Sequence, residues 1–187
     1  MAVILNGKEV AKKTRENLKS KVEELKKKNI FPKLAVIMVG DDGASKIYVR
    51  NKSKACEELG IEYEEFLLDE NTTQQQLLQL INELNERKDV HGILLQSPVP
   101  KHLDINEAFR TISPEKDVDG FNPVNVGKLV LGQDTFISCT PFGVMKLLEE
   151  YNIETEGKNA VVIGRSNIVG KPMLQCLLNK HATVTIC

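Results

Sequence analysis

Three short apolar runs, KLAVIMVG at 33–40, HGILLQ at 91–96 and NAVVIG at 159–164, constrain most what this chain can fold into. Each is too short for a membrane span and ends in a turn-forming or polar residue. Continuous apolar runs of this length suit strands of a sheet covered on both faces. Segments with helical periodicity separate them. Gly7 to Asn29 places Val10, Leu18, Val22 and Leu25 near one face and lysines on the other. Ala44 to Leu59 reads as a second helix. Thr72 or Thr73 caps a third, which carries Leu77, Leu78, Leu80, Ile81 and Leu84. IEYEEFLL and ATVTIC supply further strands, and Gly170 to Asn179 a helix between the last two. Strand and helix alternate through short connections, which is the pattern of a parallel α/β sheet.

From Pro98 to Ser138 the pattern becomes irregular, with four prolines and several glycines, as in a connection between domains or the wall of a cleft. A second unit follows, in which Thr140 caps a helix with Pro141 at its first position and Phe142 to Tyr151 continuing it. The expected division is a three-layer parallel-sheet domain over 1–120 and the start of a Rossmann-type domain over 121–187. A doubly wound sheet needs more than the two strands found after Lys158, so the chain reads as a fragment of a longer protein.

Composition narrows the function. The 187 residues carry 25 basic and 26 acidic side chains, interspersed, so bulk charge attracts neither nucleic acid nor a membrane surface. No run reaches the roughly 18 apolar residues of a membrane span, and the N-terminus lacks a secretory pattern, so the expected address is the cytoplasm. Cys56, Cys139, Cys176 and Cys187 are scattered, with no zinc or disulfide framework, and read as reduced structural thiols; no metal site is expected.

Four constellations could carry chemistry. On a helical wheel Ala44, Tyr48, Lys52, Ala55 and Leu59 share a stripe, which sets Lys52 among apolar neighbours. An unpaired buried ammonium tends to lose its proton, so the position reads as a proton acceptor or polar anchor, or else as a lysine snorkelling at the core's edge. Gln96 ends a strand before SPVP, where it can bond a ligand or orient a lysine without titrating, or simply cap a rigid turn. In PEKDVDGFNP, Asp117 and Asp119 share a side if the segment is extended. One carboxylate could then accept two hydrogen bonds from an aminopyrimidinone edge; the alternative is a solvated acidic turn. Finally, AVVIGRSNIVGKPM runs a strand into Gly164 and starts a helix near Gly170, with Arg165 and Ser166 suited to phosphate, or forms a ligand-free turn. No acidic residue follows in HATVTIC, which favours NADP over NAD.

Taken in order and spacing, YVRNK with KACEELGI, GILLQSPVPKH, PEKDVDGFNP, CTPFGV and VVIGRSNIVGKPM resemble the bifunctional methylenetetrahydrofolate dehydrogenase/methenyltetrahydrofolate cyclohydrolase family over essentially the whole chain. The resemblance implies a folate cleft between a catalytic domain and a Rossmann domain binding NADP. It implies Lys52 as the catalytic lysine, Tyr48 against the folate, Gln96 positioning the lysine and Asp119 holding the pterin edge. Gly164, Arg165 and Ser166 match the cofactor loop. The implied reactions are NADP-dependent oxidation of 5,10-methylenetetrahydrofolate to the methenyl form and hydrolysis to 10-formyltetrahydrofolate, in a homodimer.

This sequence departs from the family pattern at Ser97, where an apolar residue is usual, and at Ser138, where proline commonly precedes CTP. The family's later histidine-serine-threonine segment, folate loop and final helix are expected beyond Cys187. The competing readings are a truncated, catalytically impaired folate- or nucleotide-binding fragment and an amino-acid dehydrogenase. The second would follow the dinucleotide fingerprint more closely.

Overall fold

The computed structural model describes residues 3–187. They form two compact units, Arg15–Val118 and a second made of Asp119–Cys187 with the N-terminal segment as far as Thr14.

In the first unit three parallel strands lie in the order β2-β1-β3: β1 (Lys33–Val39), β2 (Glu62–Leu68) and β3 (Gly92–Leu95). α1 (Gly7–Lys27) precedes β1, α2 (Gly43–Leu59) joins β1 to β2, and α3 (Gln74–Glu86) joins β2 to β3. The register pairs Val36 with Leu94 and Ile37 with Leu95, which assigns the two faces. Val36, Met38 and Leu94 pack with Val49 of α2, while Ala35, Ile37, Ile93 and Leu95 are buried on the other face. Burial on both sides is what the continuous apolar runs require.

The helix ends follow local chemistry. Asp42 accepts from the Ser45 amide at 2.7 Å at the start of α2. Thr73, not Thr72, caps α3, in a reciprocal capping box with Gln76. α1 departs from its amphipathic reading, since Val22 alone is buried and Leu18 is exposed.

The irregular stretch from Pro98 to Ser138 contains two helices. Asp104 caps α4 (Ile105–Thr111) through the amides of Asn106 and Glu107. Asn122 caps α5 (Pro123–Val130), which has proline in its first turn. Both carry start signals legible in the sequence, Asp-x-x-Glu and Asn-Pro, which the surrounding prolines and glycines obscure.

In the second unit α6 (Cys139–Glu150) begins earlier than expected, with Ser138 at the cap position and Thr140 already helical. β4 (Asn159–Val162), α7 (Gly170–Leu178) and β5 (Thr183–Ile186) follow, the strands pairing in parallel. Leu129, Met173, Cys176, Leu177 and Ala182 form its core, with Ala160, Val162 and Val184 packed on it. NAVVIG is not a fully buried strand: Val161 and Ile163 are exposed on the opposite side. No helix among the described residues is long and apolar enough to cross a membrane.

Candidate functional site

Strand ends collect the polar groups of the first unit. The backbone of Gln96 continues β3 by donating to the Ile37 carbonyl at 2.8 Å. Its side chain is 9% exposed and fully engaged. Nε2 donates to the Ser97 carbonyl at 2.7 Å, and Oε1 accepts from Lys52 Nζ at 2.8 Å. The Ser97 carbonyl therefore fixes which end of the amide faces the lysine. Ser45, buried beneath the start of α2, donates its hydroxyl to the same carbonyl at 3.5 Å.

The wheel reading of α2 needs correction. Its buried positions are Ser45, Val49 and Cys56, one residue along from the stripe drawn through Ala44, Tyr48 and Ala55. Lys52 is half-buried at the margin of that face, paired with an amide instead of lying unpartnered among apolar groups. Tyr48, one turn earlier, is 63% exposed. Beside this group, Val39, Gly40, Asp42, Glu70, Pro98 and Pro100 line a cavity of about 350 Å³ beyond the carboxyl ends of β1 and β3. A wider open groove of about 950 Å³ on α3 and α4, lined by residues such as Gln74, Leu78 and Glu83, holds none of the candidate catalytic or cofactor-binding residues.

Asp117 and Asp119 do not share a side of an extended strand. Asp117 is buried and makes a parallel bridge to Ile93, while Val118 and Asp119 lie in a turn, with Val118 packed on the Val36, Met38 and Leu94 cluster. Lys116, which the sequence reading passed over, anchors the turn. Its Nζ donates to the carbonyls of Leu84 (3.0 Å), Asn85 (2.7 Å) and Arg87 (2.7 Å) at the end of α3. A lysine's reach across 30 residues leaves no periodic signal, so only the fold reveals it.

In the second unit, Gly120 explains the placement of Asp119. Its φ is +67°, and a Cβ there would meet the Phe136 carbonyl oxygen at 2.5 Å, so glycine alone lets the two backbones touch. The Cys139 thiol lies 3.7 Å from Asp119 Oδ1. Cys139 and Cys187 are exposed, whereas Cys56 and Cys176 are buried, which raises their thiol pKa values.

Gly164, Arg165 and Ser166 leave β4 for the start of α7. Ser166 Oγ accepts from the amides of Val169 (3.1 Å) and Gly170 (3.4 Å). A Cβ on Gly170 would fall 1.9 Å from the Gly164 carbonyl oxygen, so the loop's two ends meet backbone to backbone. The exposed Arg165 guanidinium, the Ser166 hydroxyl and the amino end of a helix make a donor set that fits a dinucleotide's phosphates. β5 carries no carboxylate.

Such an arrangement, a parallel sheet with a lysine–amide pair beyond its strand ends and a glycine turn opening a helix in a second parallel unit, defines an α/β protein with a nucleotide-type loop. Two family models match it: the tetrahydrofolate dehydrogenase/cyclohydrolase catalytic domain over residues 5–119, and the NAD(P)-binding domain of the same family over 138–187. The chain belongs to the tetrahydrofolate dehydrogenase/cyclohydrolase family.

It is 56% identical over 186 residues to the bifunctional protein FolD of Acetivibrio thermocellus, covering 100% of this chain and 65% of that protein. The crystal structure of the bifunctional FolD enzyme from Campylobacter jejuni matches with a TM-score of 0.98 at 53% identity, covering 99% of this chain and 66% of that one. The Trypanosoma brucei enzyme, solved with NADP and an inhibitor, matches with a TM-score of 0.94 at 38% identity, covering 99% of this chain and 64% of that one. The chain thus spans just under two thirds of the length of these relatives.

Proposed function

We propose that this protein oxidises 5,10-methylenetetrahydrofolate to 5,10-methenyltetrahydrofolate with NADP and hydrolyses the product to 10-formyltetrahydrofolate. The observation that carries the reading is the 2.8 Å hydrogen bond from Lys52 to Gln96, with the Tyr48 ring exposed one turn away, in a chain of this family. Lys52 moves the proton when water adds to the methenyl carbon. Gln96 aims the Lys52 side chain through the bond to its Oε1. Tyr48 offers a ring face to the folate, and Asp119 accepts the paired donors of the pterin edge.

Gly164, Arg165 and Ser166 would hold NADP, with Arg165 on the extra phosphate. NADP, when bound, accepts the hydride. Residues 1–120 are assigned to the folate-binding catalytic domain and 121–187 to the NADP-binding domain. A homodimer in the cytoplasm, with no nucleic-acid or membrane partner, completes the proposal.

The test is to supply 5,10-methylenetetrahydrofolate with NADP or NAD and to follow methenyl formation and decay by absorbance. Formation with NADP followed by decay supports the reading; no methenyl product with either nucleotide refutes it.

A further inference from the structure

The hydroxyl of Ser138 donates to the carbonyl of Ile168 at 2.5 Å. Ser138 occupies the cap position of α6 and is 4% exposed. A serine there ordinarily accepts from the first amides of its own helix, yet this one makes no such bond. Its side chain is spent instead on a residue 30 positions away in the GRSNIVGK loop.

At its first residue the loop is tied by the Gly164 amide to the Cys187 carbonyl at 3.1 Å, and beyond that residue little else holds it. Ile163 to Val169 are exposed, and the bonds that Ser166 Oγ accepts from the amides of Val169 and Gly170 are local. Lys171 reaches back to the Ser166 carbonyl and, at 2.7 Å, to Asn167 Oδ1. Among the described residues, the tie from Ser138 is the one hydrogen bond that reaches residues 165–168 from an element other than α7. A residue without a side-chain donor, such as alanine or proline, could not make it.

We propose that Ser138 is a positioning residue for the dinucleotide: its bond to Ile168 holds the Arg165–Val169 loop in the form that receives the phosphates. The inference rests on the reading of this loop as the cofactor site. A loop ordered before binding loses less conformational freedom when the nucleotide arrives, so affinity rises without a contact from Ser138 to the ligand. One neutral hydrogen bond corresponds to about a three- to tenfold change in Kd.

The experiment compares the parent protein with Ser138→Ala, Ser138→Pro and Ser138→Thr. The φ of −47° at Ser138 lies close to proline's range, so the proline variant removes the hydroxyl with little demand on the backbone and decides the matter if the alanine variant does not fold. NADP is titrated calorimetrically without folate. Hydrogen exchange of the amides of residues 167–170 is followed in the nucleotide-free protein.

The alanine and proline variants are expected to bind NADP about three- to tenfold more weakly and to exchange faster at those amides; the threonine variant, which keeps the hydroxyl, should stay within about twofold of the parent. A folded alanine or proline variant with unchanged Kd and unchanged exchange overturns the proposal alone. A parent protein that binds no NADP overturns the cofactor reading, and this inference with it.

Discussion

Replacing Lys116 with methionine keeps a stem of nearly the same length and removes the ammonium, so the loss reports its three hydrogen bonds and its charge at the helix end. In the folded protein that ammonium meets the carbonyls of Leu84, Asn85 and Arg87 at 2.7–3.0 Å, where α3 ends. Hydrogen bonds from a charged donor contribute about 1.5–3 kcal/mol, but three on one ammonium are not additive, and water reaches a half-buried site once the charge is gone. A cation at a helix C-terminus adds about 0.3–1 kcal/mol through the dipole. Together they give about 2–3 kcal/mol, and at roughly 2–4 °C per kcal/mol for a chain of this size the midpoint should fall by about 4–12 °C. The Ile93 amide, which bonds the Lys116 carbonyl at 2.7 Å, should also exchange faster. Thermal unfolding followed by circular dichroism, with a urea titration beside it, measures the effect. A midpoint within about 2 °C of the parent would refute the view that this lysine ties the PEKDVDG turn to α3.

Other substitutions separate chemistry from binding. Lys52→Met should abolish hydrolysis of the methenyl substrate while leaving folate affinity largely intact, and an undiminished hydrolysis rate removes the lysine from its role. Arg165→Ala should raise KM for NADP more than KM for NAD; equal effects on the two nucleotides count against a phosphate contact. The guanidinium of Arg87 bonds Glu64 and Asp89 and holds both carboxyls below the usual carboxylate range. Their folded-state values are depressed, so their stabilisation is complete above the unfolded values and fades as pH falls from about 4 toward 2. Arg87→Met should flatten that part of the stability–pH curve, and an unchanged acid limb in urea titrations would contradict the assignment.

Elements whose signal is local were legible before any fold was known. β1 and β3 follow from continuous apolar runs, because a strand buried on both faces needs nothing but such residues. The bounds of α2, expected as Ala44 to Leu59 and found as Gly43–Leu59, follow from periodicity between an aspartate cap and Gly60. Errors arose where a local signal had rivals. Thr140 and Pro141 imitate a helix start two residues past the true cap of α6, and neighbouring prolines and glycines mask the caps Asp104 and Asn122. The buried face of α2 runs through Ser45, Val49 and Cys56, one residue along from the stripe through Tyr48 and Lys52. A 17-residue helix with few apolar groups has no strong stripe of its own, so its buried face is set by the sheet beneath it.

The sequence by itself determined the α/β class, the order of the strands and of every helix but α4 and α5, and the candidates Tyr48, Lys52, Gln96, Asp119, Gly164, Arg165 and Ser166, because residue type and spacing along the chain carry that information. Tertiary structure decided what each candidate touches. It brought Lys52 to Gln96 across 44 residues, turned the Gln96 amide with the Ser97 carbonyl, set Gly120 against Phe136, and tied Ser138 to Ile168. Hydrogen bonds act over about 3 Å in space. Their partners are therefore chosen by how sheets and helices stack, which no spacing along the chain records.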